Sequence, residues 1–183
     1  MTTDTYRKTI VYIAMSLDGY IASANGDISF LSLVEQEGED YGYEKFNSQV
    51  DVVILGRKTY DKILSFGIDF PHSDKKRVYV LTHQKIENSG NVIFYQDDVT
   101  DLVAKLKQDS GKNIYIDGGA EIINLLRKNN LIDEYVISII PVLLGNGIPL
   151  FQTGFKQRQL QLLKTYTFNT GLVQLHYLTL PLS

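Results

Sequence analysis

The chain lacks several residue types that would point to a distinct class of protein. It has no cysteine, which excludes disulfide frameworks and thiolate metal sites. Its three histidines, His72, His83 and His176, lie far apart without the spacing of metal ligands. No apolar run approaches the roughly 20 residues that a membrane-spanning helix needs. We therefore expect neither a metal centre nor a membrane partner.

Basic charge is also in short supply. Lys and Arg number 18 against 21 Asp and Glu, which gives a net charge of −3. Since no block of basic residues interleaves with aromatic ones, we expect no nucleic-acid partner. Residues 1–8 are polar and lack the apolar core of a secretory signal, so we expect a cytoplasmic protein. No repeat, low-complexity tract or linker divides the chain, which predicts a single domain over residues 1–183.

Short apolar runs rich in β-branched and aromatic residues are the clearest pattern that is present. They are continuous rather than alternating, as expected of strands covered on both faces in a mostly parallel sheet. Stretches with helical period separate them, such as Val99, Leu102, Val103 and Leu106. The pattern predicts strands at residues 10–15, 52–55, 78–81, 114–116 and 135–140, and helical stripes at 60–64, 99–106 and 122–126.

The C-terminal part follows a different pattern. Residues 160–168 and 172–180 flank Asn169-Thr170-Gly171, where Gly171 can supply the positive φ of a hairpin turn. We therefore predict an α/β fold. Its central sheet is mostly parallel but mixed and is flanked by helices, with the antiparallel hairpin closing one edge.

The first junction with chemical content is Gly56-Arg57-Lys58-Thr59, which follows the strand at 52–55. Backbone N–H groups at a helix start attract anions, and these side chains add two cations and a hydroxyl. Cations in a first helical turn oppose the helix dipole, which favours a phosphate-binding role. The alternative is that Arg57 and Lys58 are only solvated and that Thr59 caps the helix.

A second junction, Asp117-Gly118-Gly119-Ala120-Glu121, follows the strand at 114–116. Adjacent glycines let a backbone approach a ligand closely, and ligands of open α/β sheets bind at the carboxyl ends of strands. The alternative is a tight turn without a ligand. Asp18-Gly19 marks a further turn after the first strand. The Rossmann, Walker A and nucleophile-elbow motifs are all missing from the sequence.

In this order, the segments resemble the dihydrofolate reductase fold. The resemblance is carried by residues 56–60 (Gly-Arg-Lys-Thr-Tyr), by the glycine pair at 118–119 and by the segments at 131–134 and 140–147. It covers nearly the whole chain, from Ile10 to about Leu180. It is closest to the branch that includes the reductase domain of bacterial riboflavin biosynthesis and its small stand-alone relatives. The resemblance implies a reductase that uses NADPH.

The resemblance also implies a cofactor site, carried over residue by residue. Ala14 would hold the nicotinamide carboxamide through its backbone, with Ile21 near the ring. The phosphates and the adenosine ribose would be held at three strand ends, with a cis peptide between Gly118 and Gly119. These ends contribute Gly56, Arg57, Lys58 and Thr59, then Leu81, Thr82 and His83, then Gly118, Gly119, Ala120 and Glu121.

On the substrate side, the sequence departs from dihydrofolate reductase. If Phe46 matches the Phe that packs on the pterin, the carboxylate position one turn earlier is Gly42. The riboflavin-type branch carries an acid before the glycine pair, which makes Asp117 the candidate pocket acid and proton donor. The alternative for Asp117 is a helix cap. Phe30, Tyr41, Phe46 and Asp117 are expected to line a substrate cavity beside the nicotinamide.

These features predict hydride transfer from NADPH to a C=N or C=O carbon of a pteridine- or pyrimidine-type molecule. Two alternatives stay open. One is a reductase acting on a ribosylated pyrimidine in riboflavin biosynthesis. The other is a nucleotide-binding module without catalysis, which would lack a shaped second pocket. A homodimer is expected, because relatives in the riboflavin-type branch are commonly dimers.

Overall fold

A computed structural model describes residues 6–67 and 75–181 of the chain. Strands and helices alternate along most of this length, and a short 3₁₀ helix spans Ser29–Val34. The elements are β1 (Thr9–Ser16), β2 (Tyr20–Ala22), α1 (Tyr43–Ser48), β3 (Val50–Gly56), α2 (Arg57–Leu64), β4 (Arg77–Leu81), β5 (Val92–Tyr95), α3 (Val99–Gln108), β6 (Asn113–Gly118), α4 (Ala120–Lys128), β7 (Glu134–Ile140), β8 (Ile148–Pro149), β9 (Leu160–Thr167) and β10 (Val173–Thr179).

The central sheet has eight strands in the order β5-β4-β3-β6-β1-β7-β10-β9. The first six strands in this order are parallel to one another. β10 pairs antiparallel with both β7 and β9, so the C-terminal hairpin closes one edge as predicted. Its turn has Gly171 at φ +84°, with the Gly171 N–H donating to the Phe168 carbonyl. The predicted α/β class and mixed sheet are confirmed.

Helices cover both faces of this sheet, which explains why the strands are apolar on both sides. On β3, Val52 and Ile54 join one cluster with the apolar stripes of α3 and α4. Val53 and Leu55 alternate with them and join a second cluster on the face that carries α1 and α2. All four side chains are fully buried. The continuous apolar run therefore predicted the burial of this strand correctly.

Two features of the sheet were not predicted. β5 is a run of four β-branched or aromatic residues, Val92–Tyr95, which is typical of a strand but was not among the predicted ones, and it pairs parallel with β4. β2 and β8 make a small antiparallel pair that joins the turn after β1 to the loop after β7. For β2 and β8, which have three and two residues, the distant partner strand rather than the local sequence selects the extended conformation.

Ion pairs cluster at the amino-terminal edge of the parallel strands. The buried Glu134, at the start of β7, accepts a bond from Lys8 Nζ at 2.5 Å and lies 2.8 Å from His176 Nε2. The bond with His176, followed by the one from Lys8, holds the pKa of Glu134 below its ordinary value of 4.5. The buried Arg7 pairs with Asp51 at the same edge. This edge is thus committed to structural contacts.

Candidate functional site

The carboxyl ends of three parallel strands meet at the opposite edge. Gly56 at the end of β3 lies beside Leu81 at the end of β4, and Leu55 lies beside Gly118 at the end of β6. The sheet thus brings together the three strand ends on which the sequence predicts nucleotide contacts. In open α/β sheets this edge is where ligands bind.

The two glycine junctions lie against each other. A Cβ atom added at Gly56 would lie 3.1 Å from Ile122 Cδ1 and 3.8 Å from the Gly119 nitrogen. One added at Gly119 would lie 3.4 Å from Thr59 Oγ1. Larger side chains at either position would fill the space between β3 and α4. A cis peptide joins Gly118 and Gly119, as the resemblance implied.

Both helices at this edge begin without a side-chain cap. Gly56 is the N-cap of α2 and Gly119 is the N-cap of α4, and neither helix has a side-chain cap hydrogen bond. The alternatives that made Thr59 or Asp117 a helix cap are therefore wrong. Helix-start N–H groups that lack a cap attract anions, and here two such starts adjoin.

The two cations of the first junction differ in their surroundings. Arg57 Nε donates to Asp61 at 2.6 Å, and its guanidinium carbon lies 5.8 Å from the centre of the Phe94 ring. Its Nη1 atom is buried and has no hydrogen-bond partner among the described residues. The Lys58 side chain, by contrast, is 95% exposed and lies 4.0 Å from Glu121. Arg57 is therefore ordered with one donor unpaired, whereas Lys58 is solvated.

The end of β4 continues into a tight turn. The Thr82 N–H donates to the Tyr95 carbonyl, and Thr82 Oγ1 accepts the Gln84 N–H at 3.1 Å. His83 is exposed on this turn. Leu81 is half-buried at the strand end. The Thr82 oxygen is thus engaged in the turn, and the His83 side chain is exposed just beyond the carboxyl end of β4.

The segments flanking β2 are tied together near Ala14 and Ile21. Asp18 accepts a hydrogen bond from Ser16 Oγ at 2.5 Å and from the Gly145 N–H at 2.7 Å. The Ser16 bond is the main reason that the pKa of Asp18 lies below its ordinary value. Ile21, in β2, packs against the main apolar cluster. The predicted Asp18-Gly19 turn is present and is anchored to the loop after β7.

A cavity of about 670 Å³ opens beside β1 and β7. Ala14 of β1 and its neighbour Ser138 of β7 line the cavity. Tyr12, Tyr41 and Tyr43 also line it. The Tyr12 hydroxyl donates to the Tyr41 carbonyl at 2.8 Å, which fixes one wall. This is a shaped second pocket next to the strand that carries Ala14.

The predicted lining of this cavity needs correction. Tyr41 lines it, but Phe30, Phe46 and Asp117 do not. Phe46 is buried and stacks on Tyr12, with ring centres 4.6 Å apart. Phe30 is buried in the cluster of apolar residues that includes Ile140. Both aromatic side chains turn inward because more of their apolar surface is removed from water in the core than at the cavity wall.

Asp117, which is partly buried, does not line the cavity. Its carboxylate accepts a hydrogen bond from the Tyr115 hydroxyl at 2.6 Å. Burial raises the pKa of Asp117 above its ordinary value, against the lowering effect of the Tyr115 bond. The same carboxylate lies close enough to help raise the pKa of Tyr43, for which burial is the larger cause. Tyr43 lines the cavity, so the Asp117 carboxylate is coupled electrostatically to one residue of the cavity lining.

The mouth of the cavity is acidic, which the sequence analysis missed. Four carboxylate side chains line it, and no Lys, Arg or His does so among the described residues. Backbone N–H bonds, first from Glu44 and then from Gly42, hold the pKa of Asp40 below its ordinary value. Asp40 thus supports the start of α1 instead of replacing the carboxylate missing at Gly42. The four acids are Glu35, Glu37, Glu39 and Asp40.

Other predicted features have a clear place. Lys76 donates hydrogen bonds to the Asn47 and Val50 carbonyls and so has a structural role. No group of three or more metal-binding side chains occurs in residues 6–67 and 75–181, and His72 lies outside these ranges. None of the helices in the same ranges is long and apolar enough to cross a membrane.

Comparison with known proteins identifies the family. The family model of the RibD C-terminal domain matches residues 7–174. The uncharacterized protein YwjB of Bacillus subtilis (strain 168) is 45% identical over 172 residues, which cover 93% of this chain and 97% of YwjB. A crystal structure of a provisionally assigned riboflavin biosynthesis protein from Shewanella sp. PV-4 is 35% identical, with a TM-score of 0.85 over 95% of this chain and 99% of that one.

A more distant structure shares the fold. Dihydrofolate reductase from Enterococcus faecalis, in complex with NADP(H), has a TM-score of 0.66 at 12% identity over 94% of this chain and 96% of that one. At this identity the likeness shows the fold alone. Together with the match over residues 7–174, it confirms the predicted resemblance: the chain belongs to the RibD C-terminal domain family and has the dihydrofolate reductase-like fold of the reductases in that family.

Proposed function

We propose that the chain is an NADPH-dependent reductase that delivers hydride to a pteridine- or pyrimidine-type small molecule. The observation that carries the proposal is the contact between two uncapped, glycine-bearing helix starts at the ligand-binding edge. A cavity of about 670 Å³ lies beside the neighbouring strand β1. Phosphate groups suit the first feature, and a flat ring suits the second.

The residues at the edge fit a dinucleotide carrying a 2′-phosphate. The starts of α2 and α4 provide N–H donors for the pyrophosphate. The unpaired Nη1 of Arg57 provides a donor for the 2′-phosphate, and a buried donor without a partner costs free energy until one is supplied. When bound, NADPH supplies the hydride. The exposed Lys58 and His83 add positive or polar groups at the rim.

The backbone of Ala14 suits the role assigned to it. β1 pairs with β6 only as far as Val11, although it pairs with β7 as far as Ser16. The Tyr12 carbonyl faces β6, since the Tyr115 hydroxyl lies 3.1 Å from it. Backbone groups two residues apart on a strand face the same side, so those of Ala14 face the gap where β6 has ended. This gap supports a bond to the nicotinamide carboxamide.

Asp117 is our candidate for the proton donor. Its raised pKa lets it keep a proton at a higher pH than an ordinary aspartic acid, which a general acid requires. Asp117 does not line the cavity, so its proton would reach the substrate through a water molecule. The cavity beside β1 favours a reductase over a nucleotide-binding module without catalysis, for which a second cavity is not expected.

The first test is a calorimetric titration of the purified chain with NADPH and NADH. NADPH-selective binding with one site per chain is expected, followed by NADPH oxidation with one of a set of pteridines and ribosylated pyrimidines. Failure of both nucleotides to bind would overturn the proposal. Binding without oxidation of the cofactor by any of these compounds would favour the module without catalysis.

A reductase acting on a ribosylated pyrimidine of riboflavin biosynthesis is the second candidate, favoured by the family match. The acidic mouth of the cavity favours the unphosphorylated form of such a substrate, because carboxylates repel a phosphate. We therefore expect a ribosylamino pyrimidine to bind more tightly than its 5′-phosphate.

A pair of double variants tests this preference. Glu35→Gln/Glu37→Gln should reduce the ratio of the two ligands' affinities by about three- to tenfold. The effect is moderate because both side chains are exposed and solvent screens much of their charge. The control Glu87→Gln/Asp97→Asn removes the same amount of charge at residues that do not line the cavity, and it should leave the affinity ratio unchanged. Tighter binding of the phosphate by the wild type would refute the charge argument.

The homodimer also stays a proposal. The outermost strand β9 exposes Leu162, Leu163 and Tyr166, with 50%, 41% and 46% of their surfaces accessible. Apolar side chains on an edge strand favour association with a second copy. Sedimentation velocity on the wild type and on Leu162→Lys tests it: a dimer that Leu162→Lys separates is expected.

A further inference from the structure

A second cavity, of about 280 Å³, lies far from the nucleotide edge. It is lined by the end of α4, the amino end of β7, the segment before β9 and the end of β10. Tyr135 of β7 lines it, whereas Ser138 of the same strand lines the first cavity. Side chains three apart on a strand face opposite sides of a sheet, so the sheet separates the two cavities.

The charge of this cavity is positive. Arg127, Lys156 and Arg158 line it, and no Asp or Glu does so among the described residues. The positions come from separate parts of the chain, which explains why no basic cluster is visible in the sequence. Positive groups gathered in a concave site without acidic partners attract anions.

Beside the cavity, two guanidinium nitrogens and one hydroxyl oxygen are buried without a hydrogen-bond partner among the described residues. Arg158 Nε and Nη1 have no hydrogen-bond partner among the described residues, and neither does the Thr179 hydroxyl oxygen. Most buried polar groups in proteins are paired, so an unpaired guanidinium face requires an explanation. An oxyanion is the natural partner, because a guanidinium presents parallel N–H groups that match two oxygens.

Aromatic rings frame the same space. The Arg127 guanidinium carbon lies 4.7 Å from the centre of the Phe155 ring and 5.3 Å from that of Phe151. Arg127 Nη1 also donates to Asn124 Oδ1 at 3.2 Å, so its position is set by the protein itself. Tyr135, whose pKa burial raises to about 12, adds a neutral phenol ring to the lining. The site thus combines donors with flat apolar surfaces.

We propose that this cavity binds a small organic oxyanion, a phosphate ester or carboxylate that carries a flat apolar group. Arg158 turns its two buried, unpaired nitrogens toward the oxyanion when it binds, and Lys156 and Arg127 neutralise the charge of the oxyanion. The apolar group packs against Phe155. The volume equals that of about nine liquid waters at ~30 Å³ each, which suits a phosphate and one ring.

The test uses phenyl phosphate, inorganic phosphate and phenol as probes in isothermal titration calorimetry. Phenyl phosphate should bind at one site per chain, inorganic phosphate more weakly, and phenol not at all. Arg158→Met should weaken phenyl phosphate by at least about tenfold, the loss expected for a charged hydrogen bond. Arg77→Met, which removes an exposed cation from β4, should leave the affinity unchanged.

A second measurement separates this role from a structural one. Because Arg158 carries unpaired buried donors, Arg158→Met should raise the Tm of the ligand-free protein, whereas loss of a structural anchor would lower it. A lowered Tm with unchanged phenyl phosphate affinity overturns the proposal.

Two further arms identify the source of the anion. Saturation with NADPH should leave phenyl phosphate binding unchanged, because the sheet separates the two sites. Displacement of phenyl phosphate by NADPH would place the probe at the proposed cofactor site and overturn the proposal. Sedimentation of Arg158→Met should match the wild type. If the variant loses self-association, the anion is a carboxylate of a second copy and the small-molecule site is refuted.

Discussion

Arg57 and Lys58 are adjacent cations in the sequence, and the structure predicts that they contribute unequally to NADPH binding. Arg57 is ordered by Asp61 and Phe94 and keeps Nη1 buried and unpaired. A charged hydrogen bond to the 2′-phosphate is worth about 1.5–3 kcal/mol. With about 1.4 kcal/mol for each tenfold change, Arg57→Ala should weaken NADPH by about 10- to 100-fold.

The effect on the other nucleotide and on the neighbouring residue follows from the same contacts. NADH has no 2′-phosphate, so Arg57→Ala should weaken it by less than about threefold. Lys58 is 95% exposed, and solvent screens its charge. We therefore expect Lys58→Ala to weaken NADPH by no more than about threefold, and this small loss should vanish at high salt.

Isothermal titration of both nucleotides against the two variants measures these effects. Lys105→Ala, an exposed cation on α3, is the matched control and should bind both nucleotides like the wild type. Equal losses of NADPH and NADH in Arg57→Ala would refute the 2′-phosphate assignment. A larger loss in Lys58→Ala than in Arg57→Ala would show that the buried unpaired nitrogen is irrelevant to the cofactor.

Two further predictions concern protons. Asp117→Asn keeps an oxygen for the Tyr115 hydroxyl but removes the proton donor, so kcat should fall at every pH. The wild-type kcat should decline as pH rises through the raised pKa of Asp117, and the variant should lose this decline. A pH profile equal to that of the wild type would remove Asp117 from this role. The bonds to Glu134 lower its pKa, so their stabilisation is complete above 4.5 and is lost as pH falls through the lowered value. In urea unfolding, the wild type should therefore exceed Glu134→Gln in stability at pH 7 and converge with it in strong acid, and a difference that persists at pH 2 contradicts the assignment.

Local patterns were sufficient wherever a short segment decides its own environment. The run at 52–55 predicted a strand buried on both faces, and it is one because helices cover both sides. The stripe of Val99, Leu102, Val103 and Leu106 predicted α3, whose apolar face is buried as expected. Asn169-Thr170-Gly171 predicted the turn of the last hairpin. In each case the spacing of apolar residues or a glycine is enough.

Local patterns failed to show which of several aromatic side chains is buried in the core and which lines a cavity. Phe30, Tyr41 and Phe46 are all aromatic, yet only Tyr41 lines the cavity. Its backbone has φ +56°, and its carbonyl accepts the Tyr12 hydroxyl, a contact between residues 29 positions apart. The composition of a segment does not determine which aromatic residue faces the core and which faces a pocket.

The sequence by itself determined the α/β class, the glycine junctions at strand ends and the family, because these depend on periodicity and on short motifs. Only the tertiary structure decided that Arg57 keeps a buried donor unpaired, that the cavity mouth is acidic, and that Arg127 and Arg158 meet in a second cavity. Pairing and burial are relations between residues far apart in the chain. They are therefore settled when the strands assemble, and the local sequence does not encode them.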